Sequence, residues 1–219
     1  MPELNTQKFF DRYAVDFDAI YGNRNGALDA VVNRLFRQSM KQRFEMTIAG
    51  CSPVEGCTVL DIGCGPGHYS VTLAQRGAKV LGIDFAESMI DIAEKRAAAA
   101  KVTDCCEFRV ADWTRFPESQ KFDYVLALGF MDYVADAADT VAKIVSLTTR
   151  RAFLSFPRAG GVLGWQRKLR YRYQHRCELF LYTEEQLRNL FSKFPKIRTA
   201  IAPISRDYFV TISADNAKD

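Results

Sequence analysis

Residues 59–67, Val-Leu-Asp-Ile-Gly-Cys-Gly-Pro-Gly, confine this chain to a narrow set of folds. Val59, Leu60 and Ile62 form an apolar run ending at glycines, which predicts a strand buried on both faces in a parallel sheet. Gly63, Gly65 and Gly67 let the backbone turn sharply and approach a ligand where a Cβ would collide. A second apolar run, Lys79-Val80-Leu81-Gly82-Ile83, ends on Asp84. Ligands of open α/β sheets bind beyond the carboxyl ends of the strands, so Asp84 stands where a ribose would present its two hydroxyls. The spacing implies a nucleoside crevice.

Details decide which nucleoside. A dinucleotide site wants a third small residue where this chain has His68, and it seats a pyrophosphate at the helix amino end. Asp61, inside the strand-to-loop junction, would repel a pyrophosphate but suits a cationic amine. An amine together with a ribose points to S-adenosylmethionine. The segment VLDIGCGPGHYSVTLAQRGAKVLGIDFAESMIDIA closely resembles the first two motifs of the class I S-adenosylmethionine-dependent methyltransferases, and a weaker resemblance continues to residue 213. Strand, acid, three glycines, helix, strand and acid in this order are far more specific than a lone glycine loop.

The remaining chain predicts βα units around that motif. Residues 6–22 and 27–49 read as helices, the second with Leu28, Val31, Val32, Leu35, Phe36, Met40, Phe44 and Ile48 near helical spacing. Further helices are expected from about Tyr69 to Gln75 and from about Ala86 to Lys101. Strands are expected over Cys106 to Val110, Phe122 to Leu128 and Ala152 to Phe156. Thr183-Glu184-Glu185-Gln186 carries a capping box that starts a late helix. Ile197 to Ala202 and Tyr208 to Ile212 suggest a closing pair of strands. The predicted architecture is a Rossmann-like three-layer αβα sandwich, with a mainly parallel seven-stranded sheet whose last strand is antiparallel. One domain over 1–219 is expected, with a helical amino-terminal lobe at 1–52 and an insert at 158–180.

Resemblance to the family implies roles for particular residues. The cofactor loop is Asp61, Gly63, Cys64, Gly65 and Gly67, and Asp84 is the ribose acid. Phe85 and Met89 resemble the apolar residues flanking the adenine ring; ordinary packing against the sheet is the alternative. Asp112 looks like the acid aimed at the exocyclic amine of adenine, with Trp113 supplying a backbone amide or ring contact. Leu128 and Gly129 fall where the fourth strand opens beneath the sulfonium. Tyr13 and Tyr21 lie in the lobe that folds over the cofactor in similar small-molecule enzymes, or else pack at the sheet edge.

A sulfonium methyl is already activated, so methyl transfer needs alignment, exclusion of water and, for some acceptors, removal of a proton. No obligatory catalytic signature is therefore expected. Tyr133 and Asp132 are placed to face an acceptor, although Asp132 has a second reading as a helix cap. His68 is a further candidate base, or merely a helix start.

Composition supplies the other limits. The 219 residues are 48% hydrophobic, enough for one core with an added lobe. Six cysteines without a C-x-x-C pair, the lack of a signal-like amino terminus and the lack of an apolar span suggest reduced thiols and a cytoplasmic location. With two histidines and scattered cysteines, no metal site is expected. The net charge of +4 is concentrated: Arg158, Arg167, Lys168, Arg170, Arg172 and Arg176 lie in a stretch without acids, interleaved with Trp165, Tyr171, Tyr173 and His175. Arg167, Arg170 and Arg172 are candidate contacts to an anionic acceptor; a solvated helix face is the bland alternative.

After the fourth strand the chain has Leu128-Gly129-Phe130-Met131, not the Asn- or Asp-Pro-Pro-aromatic tetrad of related enzymes that methylate exocyclic base nitrogens. Nucleic-acid bases are thus disfavoured as substrates. The layout more closely resembles small-molecule methyltransferases, including the magnesium-protoporphyrin type. The expectation is methyl transfer from S-adenosylmethionine to oxygen or nitrogen of a small acceptor, leaving S-adenosylhomocysteine. An RNA or protein methyltransferase docking through the basic insert, and a binding module without transferase activity, are the competing readings. Oligomeric state is not legible.

Overall fold

The computed structural model describes residues 27–159 and 179–214, with side chains described from Gln38 onward. Helix α1 spans Ala27–Gly50 and leads into strand β1, Thr58–Ile62. There follow α2 (His68–Ala74), β2 (Lys79–Asp84), α3 (Glu87–Ala99), β3 (Cys106–Val110) and β4 (Phe122–Ala127). The chain continues through α4 (Ala137–Leu147), β5 (Thr148–Pro157), α5 (Glu184–Phe191), β6 (Ile197–Pro203) and β7 (Asp207–Ala214).

The seven strands form one sheet in the order β3-β2-β1-β4-β5-β7-β6. β1 to β5 are mutually parallel, while β7 runs antiparallel to both β5 and β6. Period-two alternation divides the core between the two faces. Leu60, Ile62, Leu81, Ile83, Val125 and Leu154 pack beneath Val141 and Ile144 of α4 and Leu187 of α5. Val59, Val80, Tyr124, Leu126 and Phe153 face Ile48 of α1 and Leu73 of α2. This is the three-layer sandwich expected from the sequence, including the antiparallel last strand.

Two local features differ from expectation. β5 begins at Thr148 and not at Ala152, because its early residues pair with the start of β4. Helix α4 was not anticipated, although Asp136 caps it by accepting from the Ala138 and Asp139 amides, and Val141, Ile144 and Leu147 supply a buried stripe. The cap after the fourth strand is therefore Asp136, which leaves Asp132 as a buried residue of the short turn Met131–Tyr133. The Thr183–Gln186 capping box forms as read.

Candidate active site at the carboxyl edge

Strand order reverses direction at β1, since the chain runs outward through β2 and β3 and then returns to β4 on the other side. Such a switch opens a crevice above the carboxyl ends of the two central strands. The glycine loop leaves β1 into this crevice. Gly65 has φ +51, and a Cβ built on it would meet none of the described residues within 4 Å. Gly67 has φ +75 for a different reason, since its Cβ would stand 3.0 Å from the Cβ of Ala93 on α3. Gly65 is thus clear of the described residues, and Gly67 permits helix α3 to pack on the loop.

Asp84 ends β2 and reaches back to that loop. Its Oδ2 accepts from the Gly65 amide at 2.9 Å and its Oδ1 from the Ala86 amide at 3.0 Å. A carboxylate oxygen can accept more than one bond, so an acid oriented in this way still has lone pairs for a diol. Asp61 is more deeply placed. Its Oδ2 accepts from Ser70 Oγ at 2.6 Å, and burial pushes its carboxyl up to about 6, with Asp84 adding to the rise and the Ser70 bond opposing it.

The other loop residues divide by contact. The Cys64 amide donates to the Ile83 carbonyl at 3.0 Å and its thiol is buried, pushed well above its ordinary pKa by burial. His68 opens α2, and its Nδ1 lies 3.1 Å from Arg96 Nη1. A guanidinium can only donate, so that ring nitrogen accepts. Arg96 also donates from Nε to the Pro66 carbonyl at 2.8 Å, which fixes the loop from α3.

On the β2–β3 side, Met89 is buried against Ala86 and Ile92, while Phe85 is half-buried. Asp112 is exposed and caps the turn Trp113–Arg115, its carboxylate accepting from both the amide and the hydroxyl of Thr114 at 2.8 Å. The Trp113 ring packs into the core beside Phe116 and edge-on to Phe130. The indole is therefore buried among core residues.

Beyond β4, Leu128 and Gly129 leave the sheet. The Gly129 amide donates to Ser155 Oγ at 2.7 Å, and the same oxygen accepts from Arg43 Nη1 at 3.0 Å. Arg43 sits 3.7 Å from Asp207, which also accepts from Ser39 at 2.7 Å. Helix α1 is thereby tied to the carboxyl ends of β4 and β5 by a largely buried guanidinium that the sequence reading did not single out.

Tyr133 is half-buried in the turn after β4. The Asp132 carbonyl accepts from the Phe180 amide at 2.9 Å, and Asp132 helps raise the pKa of Tyr182, although burial is the larger cause. Tyr182 donates its amide to the Pro157 carbonyl at 2.9 Å and accepts from the Ala159 amide at 2.6 Å. The two ends of the insert therefore meet beside Asp132. Tyr13, Tyr21, Arg167, Arg170 and Arg172 lie outside the described residues.

Residues 53–159 match the family model described as a methyltransferase domain. This segment is a methyltransferase domain. It contains β1 to β5, the glycine loop, Asp84, Asp112 and Asp132. The chain is similar to the mitochondrial ubiquinone biosynthesis O-methyltransferase of Arabidopsis thaliana, with 33% identity over 113 residues, covering 51% of this chain and 35% of that protein. Similarity to the magnesium-protoporphyrin O-methyltransferase of Rhodobacter capsulatus is 40% over 78 residues, covering 36% of this chain and 34% of the other. The chain thus spans about a third of the length of these two curated relatives. The magnesium protoporphyrin IX methyltransferase of Synechocystis, solved with bound S-adenosylhomocysteine, superposes with a TM-score of 0.75 at 22% identity, covering 95% of this chain and 97% of that one. The methyltransferase domain and the strands that follow it therefore share that fold. Among the described residues, no helix is long and apolar enough to cross a membrane.

Proposed function

We propose that the chain is an S-adenosylmethionine-dependent methyltransferase acting at oxygen or nitrogen of a small-molecule acceptor. The observation that carries this reading is the Asp84 carboxylate, held by the Gly65 and Ala86 amides beside a loop position that no described residue covers. These residues fit the cofactor: Asp84 would receive the ribose hydroxyls, Asp112 and the Trp113 backbone the adenine edge, and Phe85 and Met89 the purine face. Asp61 would favour the cationic end, and Arg43, next to Gly129, is suited to the methionine carboxylate. When bound, the cofactor supplies a methyl group already activated by its sulfonium.

The protein's own part is then alignment and exclusion of water. Tyr133 and Asp132 lie just past β4, where an acceptor would approach. His68 is less suited to act as a base, because its Nδ1 already accepts from Arg96. The insert leaves and rejoins the domain beside Asp132, which supports a role for Arg167, Arg170 and Arg172 as one wall of the acceptor site and favours an acceptor bearing carboxylate or phosphate. The O-methyltransferases among its relatives weigh toward oxygen as the methylated atom.

Calorimetric titration with S-adenosylhomocysteine tests the cofactor assignment. One-site binding that Asp84→Ala weakens is expected, whereas equal affinity in the folded variant would remove the crevice from consideration.

A further inference from the structure

Helix α4 sends one side chain to the turn Trp113–Arg115. Lys143 Nζ donates to the Trp113 carbonyl at 2.8 Å and to the Thr114 carbonyl at 3.3 Å. It also stands 4.6 Å from the centroid of the Trp113 ring, within cation–π range. Thr114 is thereby gripped from both ends, since Asp112 holds its amide and hydroxyl while Lys143 holds its carbonyl. The Ala111 amide still donates to the Asp84 carbonyl of β2 at 2.8 Å, but the turn Trp113–Arg115 that follows pairs with no strand among the described residues. Besides its own internal bonds, the turn is held from other elements by the packing of the Trp113 ring against Phe130 and by the Lys143 ammonium.

We propose that Lys143 is a positioning residue for purine recognition: it fixes the Asp112–Thr114 turn so that the Asp112 carboxylate meets the exocyclic amine of the cofactor's adenine. This rests on the proposed assignment of Asp112 to that amine. Lys143 itself touches two carbonyls and a ring, and acts on the ligand only through the turn. Burial is the main cause of its lowered pKa, opposed by Glu118 and Asp112, so its charge is felt at the acid it is proposed to orient. An ammonium has three donors, which allows both carbonyls to be held at once. A neutral side chain of similar length would keep the packing and release the turn.

The test compares affinities for S-adenosylhomocysteine and for its analogue lacking only the 6-amino group. Loss of a hydrogen bond to a charged acceptor makes the wild type prefer the amine by about 10-fold or more. Lys143→Met should shrink that preference at least about 3-fold while leaving affinity for the deaminated analogue nearly unchanged, and Lys143→Gln provides the same measurement should the first variant fold poorly. Asp112→Ala is the control. If Asp112→Ala abolishes the preference and both lysine variants retain it, or weaken both ligands equally, the positioning role is overturned while the Asp112 assignment stands. If Asp112→Ala leaves the preference unchanged, the assignment fails and the inference fails with it.

Discussion

The Gly65 amide donates to the Asp84 carboxylate at 2.9 Å, joining two strand-to-loop junctions 19 positions apart in sequence. One contact therefore fixes both the glycine loop and the acid that faces it. Asp84→Ala removes that anchor together with the expected acceptor of the ribose hydroxyls. Cofactor affinity should fall by about 2 to 3 kcal/mol, or roughly 30- to 150-fold, in a protein that remains folded by circular dichroism.

The glycines of the loop should respond differently. A Cβ on Gly65 meets none of the described residues, so Gly65→Val costs mainly the left-handed backbone, about 1 to 2 kcal/mol, yet obstructs the crevice and should abolish binding. Gly67→Ala adds to a similar backbone cost a contact of 3.0 Å with Ala93 and 3.2 Å with Phe108, so its stability loss should be the larger of the two despite the smaller side chain. Urea denaturation of both variants checks the ranking. Normal binding by Gly65→Val would mean that the loop does not face the cofactor.

Asp61 should leave a pH signature. Its carboxyl is raised from 3.8 to about 6 in the folded chain, so the unfolded chain releases this proton first. Stability is accordingly lost as pH rises through that window, reaching a constant deficit of about 3 kcal/mol above it. Asp61→Asn keeps an oxygen for Ser70 and removes the titration. The stability of the variant relative to wild type should therefore increase by about 2 kcal/mol from about pH 4 to about pH 7 in the cofactor-free protein. A difference that stays constant with pH would show that Asp61 is not desolvated as described.

The basic insert allows a charge test. Arg167, Arg170 and Arg172 changed together to Gln should raise the acceptor KM and leave cofactor affinity nearly untouched. If the triple variant loses neither acceptor binding nor any salt-dependent association with RNA, the insert is a solvated face.

What could be read from the sequence was what depends on short-range pattern. The apolar runs ending at Gly63 and Asp84 predicted β1 and β2 because a buried parallel strand needs nothing beyond its own residues to be recognised. Helix α4 also carries a local signal, Asp136 followed by an apolar stripe at Val141 and Ile144. Arg43 is another matter. It lies among apolar helical positions, and its partner Ser155 is 112 residues away, so only the fold brings them together. Lys143 likewise gains its meaning from a turn 30 residues earlier. The Trp113 ring turned inward because Phe116 and Phe130 gather around it, which residue order alone does not specify.

Transfer of an isotopically labelled methyl group from S-adenosylmethionine, in the presence of separated small-molecule, RNA and protein fractions of a cell extract, tests the central claim most directly. Label should enter the small-molecule fraction with equal release of S-adenosylhomocysteine, and Asp84→Ala should reduce it at limiting cofactor. Label confined to RNA or protein, or no release beyond that of a cofactor-only control, would contradict the assignment of this chain as a small-molecule methyltransferase.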